Sequence, residues 1–196
     1  AGRLVIIGFG AIAQGVLPLL FRHLTLAPGQ VTILTADASG IEQAHACGVR
    51  HEILPLTRAN YREVLTPLVG AGDFVLNLAV TVSSVALIEF CRSRGALYLD
   101  ACIEPWAGGY TDAALPPSAR TNYALREQAK ALHVPGGPTA VLTHGANPGW
   151  VSHFVKQALL DIARDCGRPA PVPGDRAGWA RLAQALSIRA IHVAER

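Results

Sequence analysis

The sequence predicts an α/β protein with a doubly wound parallel sheet. Short apolar runs alternate with helical segments along most of the chain, as buried parallel strands and their crossover helices do. The chain has 196 residues, 51% of them hydrophobic and 16% charged, which is too apolar for a disordered segment. A glycine-rich turn separates the first apolar run from the first helical segment. We therefore expect an open sheet with helices on both faces.

The glycine-rich turn has the spacing of a dinucleotide-binding motif. Residues 4–7 are predicted to be a strand, and residues 8–13 match G-x-G-x-x-G/A at the start of a helix that runs to about Phe21. The first glycine permits a tight turn, the second lets a pyrophosphate approach the backbone, and the small Ala13 lets the helix pack on the strand. The open alternative is a turn that needs only a positive φ. The predicted cofactor residues here are Gly8, Phe9, Gly10, Ala11 and Ile12.

The same segment also has to be considered as a membrane span or a signal peptide. Residues 4–21 carry no charge and reach the lower limit of length for a transmembrane helix. Three glycines, Pro18 and a strand-like beginning argue against both alternatives. We expect a buried strand that leads into a packed helix, and no membrane partner.

An acidic residue follows the second predicted strand. Residues 31–34 lead through Thr35 to Asp37, whose carboxylate would bind the adenosine ribose and repel a 2′-phosphate. This position favours NAD over NADP, and no arginine stands immediately beside it. The alternative is that Asp37 caps the helix that begins near Ile41.

The remaining elements continue the alternation. A helix after Ser83 or Ser84 is predicted to end at Gly95, and Ser118 is predicted to cap the helix 118–133. Residues 168–174 are rich in proline and predict a linker. We expect a Rossmann-like NAD-binding domain at 1–150, and at 151–196 a helix, the linker and the start of a second domain for substrate binding or dimerisation. The other predicted strands are 52–54, 74–78, 96–99, 139–143 and 188–193, and the other predicted helices are 41–47, 60–69, 151–164 and 179–186.

Ligands of a doubly wound sheet bind beyond the carboxyl ends of its strands, and this rule selects further residues. The long segment 101–117 exceeds a usual βα connection, so we interpret it as a functional loop. Glu104 near Trp106 would suit an alkyl ammonium group through charge pairing and cation–π attraction. The equally open alternative is a helix cap plus an aromatic plug. The residues selected as further cofactor contacts are Asn77, Ala79, Val80, Ala101, Asn147 and Pro148.

Several classes of function are not indicated. The net charge is +3 and the basic residues are scattered, which does not predict a nucleic-acid partner. Four cysteines without a C-x-x-C pair, and histidines without H-x-x-x-H spacing, predict reduced thiols of a cytoplasmic protein and no metal. The chain does not begin with Met and ends directly after an apolar run, so we expect a piece of a longer enzyme.

Taken in order, the motifs of the chain resemble the homospermidine synthase family within the saccharopine-dehydrogenase-like oxidoreductases. The first motif is generic to dinucleotide binders, whereas E-P-W followed by T-N-Y-x-L-R-E and G-A-N-P-G is far more specific. The segments that carry the resemblance are Ile7–Gly10, Gly95–Asp100, Glu104–Trp106, Thr121–Glu127, Gly145–Gly149 and Ile191–Arg196.

The resemblance implies a bacterial, homodimeric transferase. Such an enzyme joins two putrescines, or putrescine and spermidine, into homospermidine with release of ammonia, and uses NAD as an internal redox group. The resemblance implies catalytic roles for Glu104, Asn147 and Glu195, and substrate contacts for Glu104, Trp106 and Glu195. It also implies that this piece alone would be inactive.

Two other functions stay open at this point. One is a saccharopine- or carboxynorspermidine-type imine dehydrogenase with NAD(P) as a free co-substrate, for which Arg120 and Arg126 could bind a carboxylate. The other is a non-catalytic domain that senses NAD.

Overall fold

The computed structural model describes residues 2–194, and the chain divides into two compact units, Ala1–Thr143 and His144–Arg196. The first unit carries the sheet, and the second unit consists of two helices and their connections. The domain boundary predicted after residue 150 stays a prediction.

The described part of the first unit forms a six-stranded parallel sheet. Its strands are β1 (Leu4–Ile7), β2 (Val31–Thr35), β3 (Arg50–Ile53), β4 (Phe74–Asn77), β5 (Leu97–Asp100) and β6 (Ala140–Val141). They lie side by side in the order β3-β2-β1-β4-β5-β6. The chain winds outward from β1 in one direction and then from β4 in the other, which confirms the predicted doubly wound α/β fold. In register, Ile7 lies opposite Leu34 and Asn77, so the loops after these three strands meet at one edge of the sheet.

Helices cover both faces of this sheet, and each face has its own apolar core. The helices of the described chain are α1 (Ala11–His23), α2 (Ile41–Ala46), α3 (Tyr61–Leu65), α4 (Ser84–Arg94), α5 (Asn122–Ala131), α6 (Trp150–Asp165) and α7 (Arg176–Ala185). Val5 and Ile7 pack in the core beneath α3, α4 and α5, whereas Leu4 and Ile6 pack in the core beneath α1 and α2. Successive side chains of a strand point to opposite faces, so the central strand β1 is apolar at every position.

The uncharged run at 4–21 is divided between a strand and a helix. It contributes β1 at the centre of the sheet and most of α1, on which Leu17 is fully buried and Ile12 is 64% exposed. Between residues 2 and 194, no helix has both the length and the apolar composition that crossing a membrane requires.

Four predicted elements differ clearly from the structure, and one of them, the helix predicted at 60–69, is reduced to the five residues of α3. The strand predicted at 188–193 is wrong, because this stretch is irregular and pairs with no other strand of the described chain; Ile191 is 60% exposed. The strand predicted at 139–143 is reduced to the two residues of β6. The helix predicted from Ser118 is wrong at its start, because α5 begins after Thr121, whose Oγ1 accepts a hydrogen bond from the Ala124 N–H at 3.1 Å.

The second unit is held by contacts between α6 and α7. The ammonium of Lys156 lies 5.5 Å from the centroid of the Trp179 ring, a cation–π distance. At the start of α6, the rings of Trp150 and Phe154 stack with centroids 6.0 Å apart, and His153 lies edge-on to His144.

Candidate functional site

The turn between β1 and α1 requires a glycine at position 8. Gly8 has a φ of +86°, and a Cβ atom there would lie 2.7 Å from the backbone N and Cα of Ala79. Its N–H donates to the Leu34 carbonyl at 2.8 Å. The turn is therefore held against β2 and lies in close contact with the loop after β4, so any side chain at position 8 would force the turn away from Ala79.

Gly10 is different, because its own backbone conformation would accept other residues. It has a φ of −74°, and a Cβ atom there would meet nothing within 4 Å. It precedes α1, which has no side-chain cap and no acidic residue in its first turn. The first backbone N–H groups of a helix have no acceptor inside the helix and favour an anion. The open space at Gly10 and the uncapped helix therefore suit a pyrophosphate.

A cleft of about 1290 Å³ opens at this edge of the sheet. Its walls come from the loops after β1, β2, β3 and β4 and from the segment that follows β5. The predicted cofactor residues that line it are Gly8, Phe9, Gly10, Asp37, Ala79 and Val80. The predicted cofactor residues of the first unit outside this lining are Ala11, Ile12, Asn77 and Ala101.

Asp37 lies on the cleft wall as an ionised carboxylate. Its Oδ1 accepts a hydrogen bond from the Ser39 N–H at 2.8 Å, and bonding to the Ser39 hydroxyl is the main cause that lowers the Asp37 pKa. The alternative in which Asp37 caps α2 is wrong, because Gly40, with a φ of +74°, occupies that position. Arg58, from the loop after β3, lines the same cleft although it is distant from Asp37 in sequence.

A chain of buried polar groups connects β4, β5 and the residue before the second unit. The Asn77 amide donates to the Tyr98 hydroxyl at 3.1 Å, and that hydroxyl donates to Asp100 Oδ2 at 2.9 Å. The other Asp100 oxygen accepts from the Thr143 N–H at 2.6 Å. Asn77 Oδ1 also accepts a hydrogen bond from the Ala79 N–H at 3.3 Å. Ala79 lines the cleft and Asn77 does not, so Asn77 holds part of the cleft wall in place without contacting the cleft itself. Burial is the main cause that raises the Asp100 pKa.

We expect Tyr98→Phe to destabilise the fold by about 2 kcal/mol, because the Asn77 amide loses its acceptor and Asp100 Oδ2 loses the Tyr98 donor in a buried site. Tyr98 is 1% exposed, whereas Tyr123 on α5 is 70% exposed. Tyr123→Phe is therefore the matched control and should leave the free energy of unfolding in urea within ~0.5 kcal/mol of the parent. Equal unfolding free energies for the two variants would contradict a stabilising role for this chain of bonds.

Glu104 lies half-buried in the loop after β5. Its pKa is raised mainly by burial and further by the charge of Asp100, while hydrogen bonds from the Thr81 N–H and Cys102 act against the rise. Among the ion pairs of residues 2–194, none involves Glu104 or Asp100. A half-buried carboxylate that has a raised pKa and no cationic partner can bind a cation or accept a proton.

Trp106 and Glu104 have different surroundings although they are close in sequence. The Trp106 ring packs on the ring of Tyr61, with centroids 5.3 Å apart, and belongs to the core beneath α3 and α4. Trp106 also lines the cleft, whereas Glu104 does not. Trp106 therefore acts as an aromatic plug in the core as well as a wall of the cleft, and its predicted contact with substrate stays a prediction.

The other predicted site residues lie beyond the first unit. Asn147 and Pro148 belong to a closed turn of the second unit, in which the Gly145 N–H donates to the Pro148 carbonyl at 3.1 Å. Glu195 lies outside the described residues. Within residues 2–194, no group of three or more His, Cys, Asp or Glu side chains is arranged to hold a metal ion.

Some residues of the site carry no recognisable signal in the sequence. Arg58 stands in an ordinary loop, and only the packing of the loops after β2 and β3 brings it to the cleft of Asp37. The sequence predicts for Ser84 only the role of a helix cap, and that role belongs to Ser83, whose Oγ accepts a hydrogen bond from the Ala86 N–H at 3.3 Å. Ser84 instead contacts the backbone of Glu104.

The chain is similar to curated homospermidine synthases, which confirms the predicted resemblance. It is 47% identical over 200 residues to homospermidine synthase of Blastochloris viridis, covering 100% of this chain and 42% of the relative. It is 44% identical over 202 residues to homospermidine synthase of Mesorhizobium japonicum, again covering 100% of this chain and 42% of the relative. The chain thus spans less than half the length of these relatives.

A solved structure and a family model agree with this similarity. The crystal structure of homospermidine synthase from Legionella pneumophila in complex with NAD superposes with a TM-score of 0.82 at 41% identity, covering 94% of this chain and 38% of that chain. The family model described as the saccharopine dehydrogenase NADP binding domain matches residues 4–141. This match includes the whole described sheet and most of the chain, so the chain belongs to the saccharopine dehydrogenase NADP-binding domain family.

Proposed function

We propose that the protein containing this chain is a homospermidine synthase that uses NAD. The observation that carries the proposal is 47% identity over all of this chain to a homospermidine synthase. The reaction joins two putrescines, or putrescine and spermidine. One carbon–nitrogen bond breaks to release ammonia, another forms to the second amine, and the overall reaction has no net oxidation.

The residues of the first unit fit a dinucleotide. The space beside Gly10, the free N–H groups of α1 and the ionised Asp37 would hold the pyrophosphate and the ribose. When bound, NAD would supply the redox chemistry by accepting a hydride from an amine-bearing carbon and returning it later. The same cofactor is present in the structure of the Legionella pneumophila relative.

Glu104 is the proposed general base. An ammonium group must lose a proton before its nitrogen can attack or its carbon can give up a hydride, and a carboxylate with a raised pKa can accept that proton. The distal ammonium stays charged and needs a carboxylate partner, for which we propose Glu195. Roles for Asn147 beside the nicotinamide and for Trp106 at the diamine follow from the family resemblance and belong to the same proposal.

A dehydrogenase that binds a carboxylate-bearing amine is less well supported. Such an enzyme would need cations near its substrate, and Arg120 and Arg126 both lie outside the lining of the cleft. Arg126 is paired with Glu127 on α5 at 2.7 Å. A homodimer, a cytoplasmic location and a bacterial source complete the proposal.

The proposal is tested by supplying putrescine and catalytic NAD to the protein that contains this chain. Product analysis by mass spectrometry should find homospermidine, while absorbance of the reduced nicotinamide stays flat. Accumulation of NADH in step with product would favour the dehydrogenase. Binding of NAD without consumption of any diamine would favour a sensing domain.

We expect Asp37→Ser to weaken NAD binding about tenfold and to reduce the preference for NAD over NADP, because the variant loses a charged ribose acceptor that also repels a 2′-phosphate. The measurement is the Kd of each dinucleotide by fluorescence titration. Asp112→Ser is the matched control, since Asp112 also lines the cleft and also accepts from a local N–H, that of Ala114 at 2.9 Å. Equal effects of both substitutions would count against a ribose contact at Asp37.

A further inference from the structure

The backbone of Glu104 is attached to α4 by a pair of hydrogen bonds. The Glu104 N–H donates to Ser84 Oγ at 3.0 Å, and the Ser84 N–H donates to the Glu104 carbonyl at 2.9 Å. Ser84 is fully buried and is the first residue of α4, so its N–H has no acceptor within the helix. Both backbone polar groups of Glu104 are therefore occupied by one buried residue of a neighbouring helix.

The residue before Glu104 is attached to a second helix. The Tyr110 hydroxyl oxygen lies 3.2 Å from the Ile103 carbonyl oxygen and 2.8 Å from Asn122 Oδ1, and these two acceptors share its single proton. Asn122 is the first residue of α5. Tyr110 thus joins two positions of the long loop after β5 and connects that loop to the first residue of α5.

We propose that Tyr110, together with Asn122 and Ser84, positions the carboxylate of Glu104 for proton transfer. The inference rests on the proposed function, in which Glu104 is the base. A base must be held close to the proton it accepts, and a long loop alone would leave its position poorly defined. Ser84 fixes the main chain of Glu104 from one side and Tyr110 fixes the preceding peptide from the other, so the two attachments act together.

The protonation states agree with these roles. Burial, followed by the charge of Glu104, raises the pKa of Tyr110 to about 12, so its hydroxyl remains a hydrogen-bond donor at neutral pH. The titratable groups around Glu104 are Asp100, Cys102 and Tyr110, and the first cause of the raised Glu104 pKa is its own burial. Loosening of the loop would admit water and move the Glu104 pKa back toward its ordinary value.

The test compares Tyr110→Phe with Tyr123→Phe in the protein that contains this chain. Tyr110 is 40% exposed, so loss of its hydroxyl is compatible with folding. Tyr123 stands beside Asn122 on α5 and is largely exposed, and its hydroxyl makes no hydrogen bond within residues 2–194. Asn122→Ala, also on the surface of α5, removes the second partner of Tyr110 and serves as an independent variant.

For Tyr110→Phe we expect kcat with putrescine to fall about tenfold while the Kd for NAD stays within about twofold of the parent. The base must be ionised to work, so the acidic limb of the kcat profile should move to lower pH. Asn122→Ala should have a smaller effect of the same kind, and Tyr123→Phe should have none. Equal kcat and equal pH profiles for Tyr110→Phe and Tyr123→Phe would overturn the inference.

Hydrogen exchange separates this inference from the proposed function. The Glu104 amide should be protected in the parent protein and in Tyr123→Phe, and should exchange about tenfold faster in Tyr110→Phe, as seen by mass spectrometry of peptides covering 101–110. If the parent makes no homospermidine, the proposed function fails and the exchange result alone decides whether Tyr110 holds Glu104. Unchanged exchange in Tyr110→Phe would refute the positioning role whatever the activity.

Discussion

Replacing Glu104 with glutamine is expected to lower kcat/KM for putrescine by at least about 100-fold, since removal of a general base typically costs two to four orders of magnitude. Glutamine keeps the shape of the side chain and leaves the backbone bonds to Ser84 intact. It cannot accept a proton from an ammonium group or pair with its charge. The loss should therefore appear in turnover, measured as homospermidine formed, while the thermal unfolding temperature and the Kd for NAD stay near the parent values.

The matched control for this variant is Glu89→Gln. Glu89 is an exposed carboxylate on α4 that lines the cleft and lies 3.6 Å from Arg62. Exposed ion pairs of this kind contribute little to stability. Glu89→Gln should keep activity within about threefold of the parent, a small effect of the size expected for a rim charge. A Glu104→Gln enzyme with the same activity as Glu89→Gln would show that Glu104 is not the base.

The second large effect is expected at the glycine turn, where Gly10→Val should weaken NAD binding about 100-fold without unfolding the protein. The backbone at Gly10 lies in the extended region, and its Cβ position is free of neighbours, so valine can be accommodated by the chain itself. The added methyl groups would occupy the space through which the pyrophosphate reaches the N–H groups of α1. The measurement is the Kd for NAD together with the unfolding temperature.

Two other glycines serve as controls for this result. Gly8→Ala places a Cβ against the Ala79 backbone at a φ of +86°, so it should lose both NAD binding and at least ~2 kcal/mol of stability. Gly15→Ala lies inside α1 with nothing near its Cβ and should stabilise the fold by about 0.5–1 kcal/mol with unchanged binding. Unaltered NAD affinity in Gly10→Val would place the pyrophosphate elsewhere.

The sheet could be predicted because its signals are local. A fully buried strand needs apolar residues at consecutive positions; 4–7 satisfies this at every position, and 31–34 satisfies it everywhere except at the half-buried Thr32. Gly8 and Gly95 were recognisable because positive φ values favour glycine, as their φ values of 86° and 69° show. The strand predicted at 188–193 was wrong because an apolar run becomes a strand only when another strand is available to pair with it.

By itself, then, the sequence determined the order of strands and helices, the glycine turn and the acidic residue after β2, since each depends on residues that are neighbours in the chain. Tertiary structure alone decided that Arg58 shares a cleft with Asp37 and that Trp106 packs on Tyr61. It also decided that Tyr110 connects Ile103 to Asn122 beside Glu104. These contacts join loops and helices that are separate in the sequence. They form only when the sheet folds and brings the loops after its strands together at one edge.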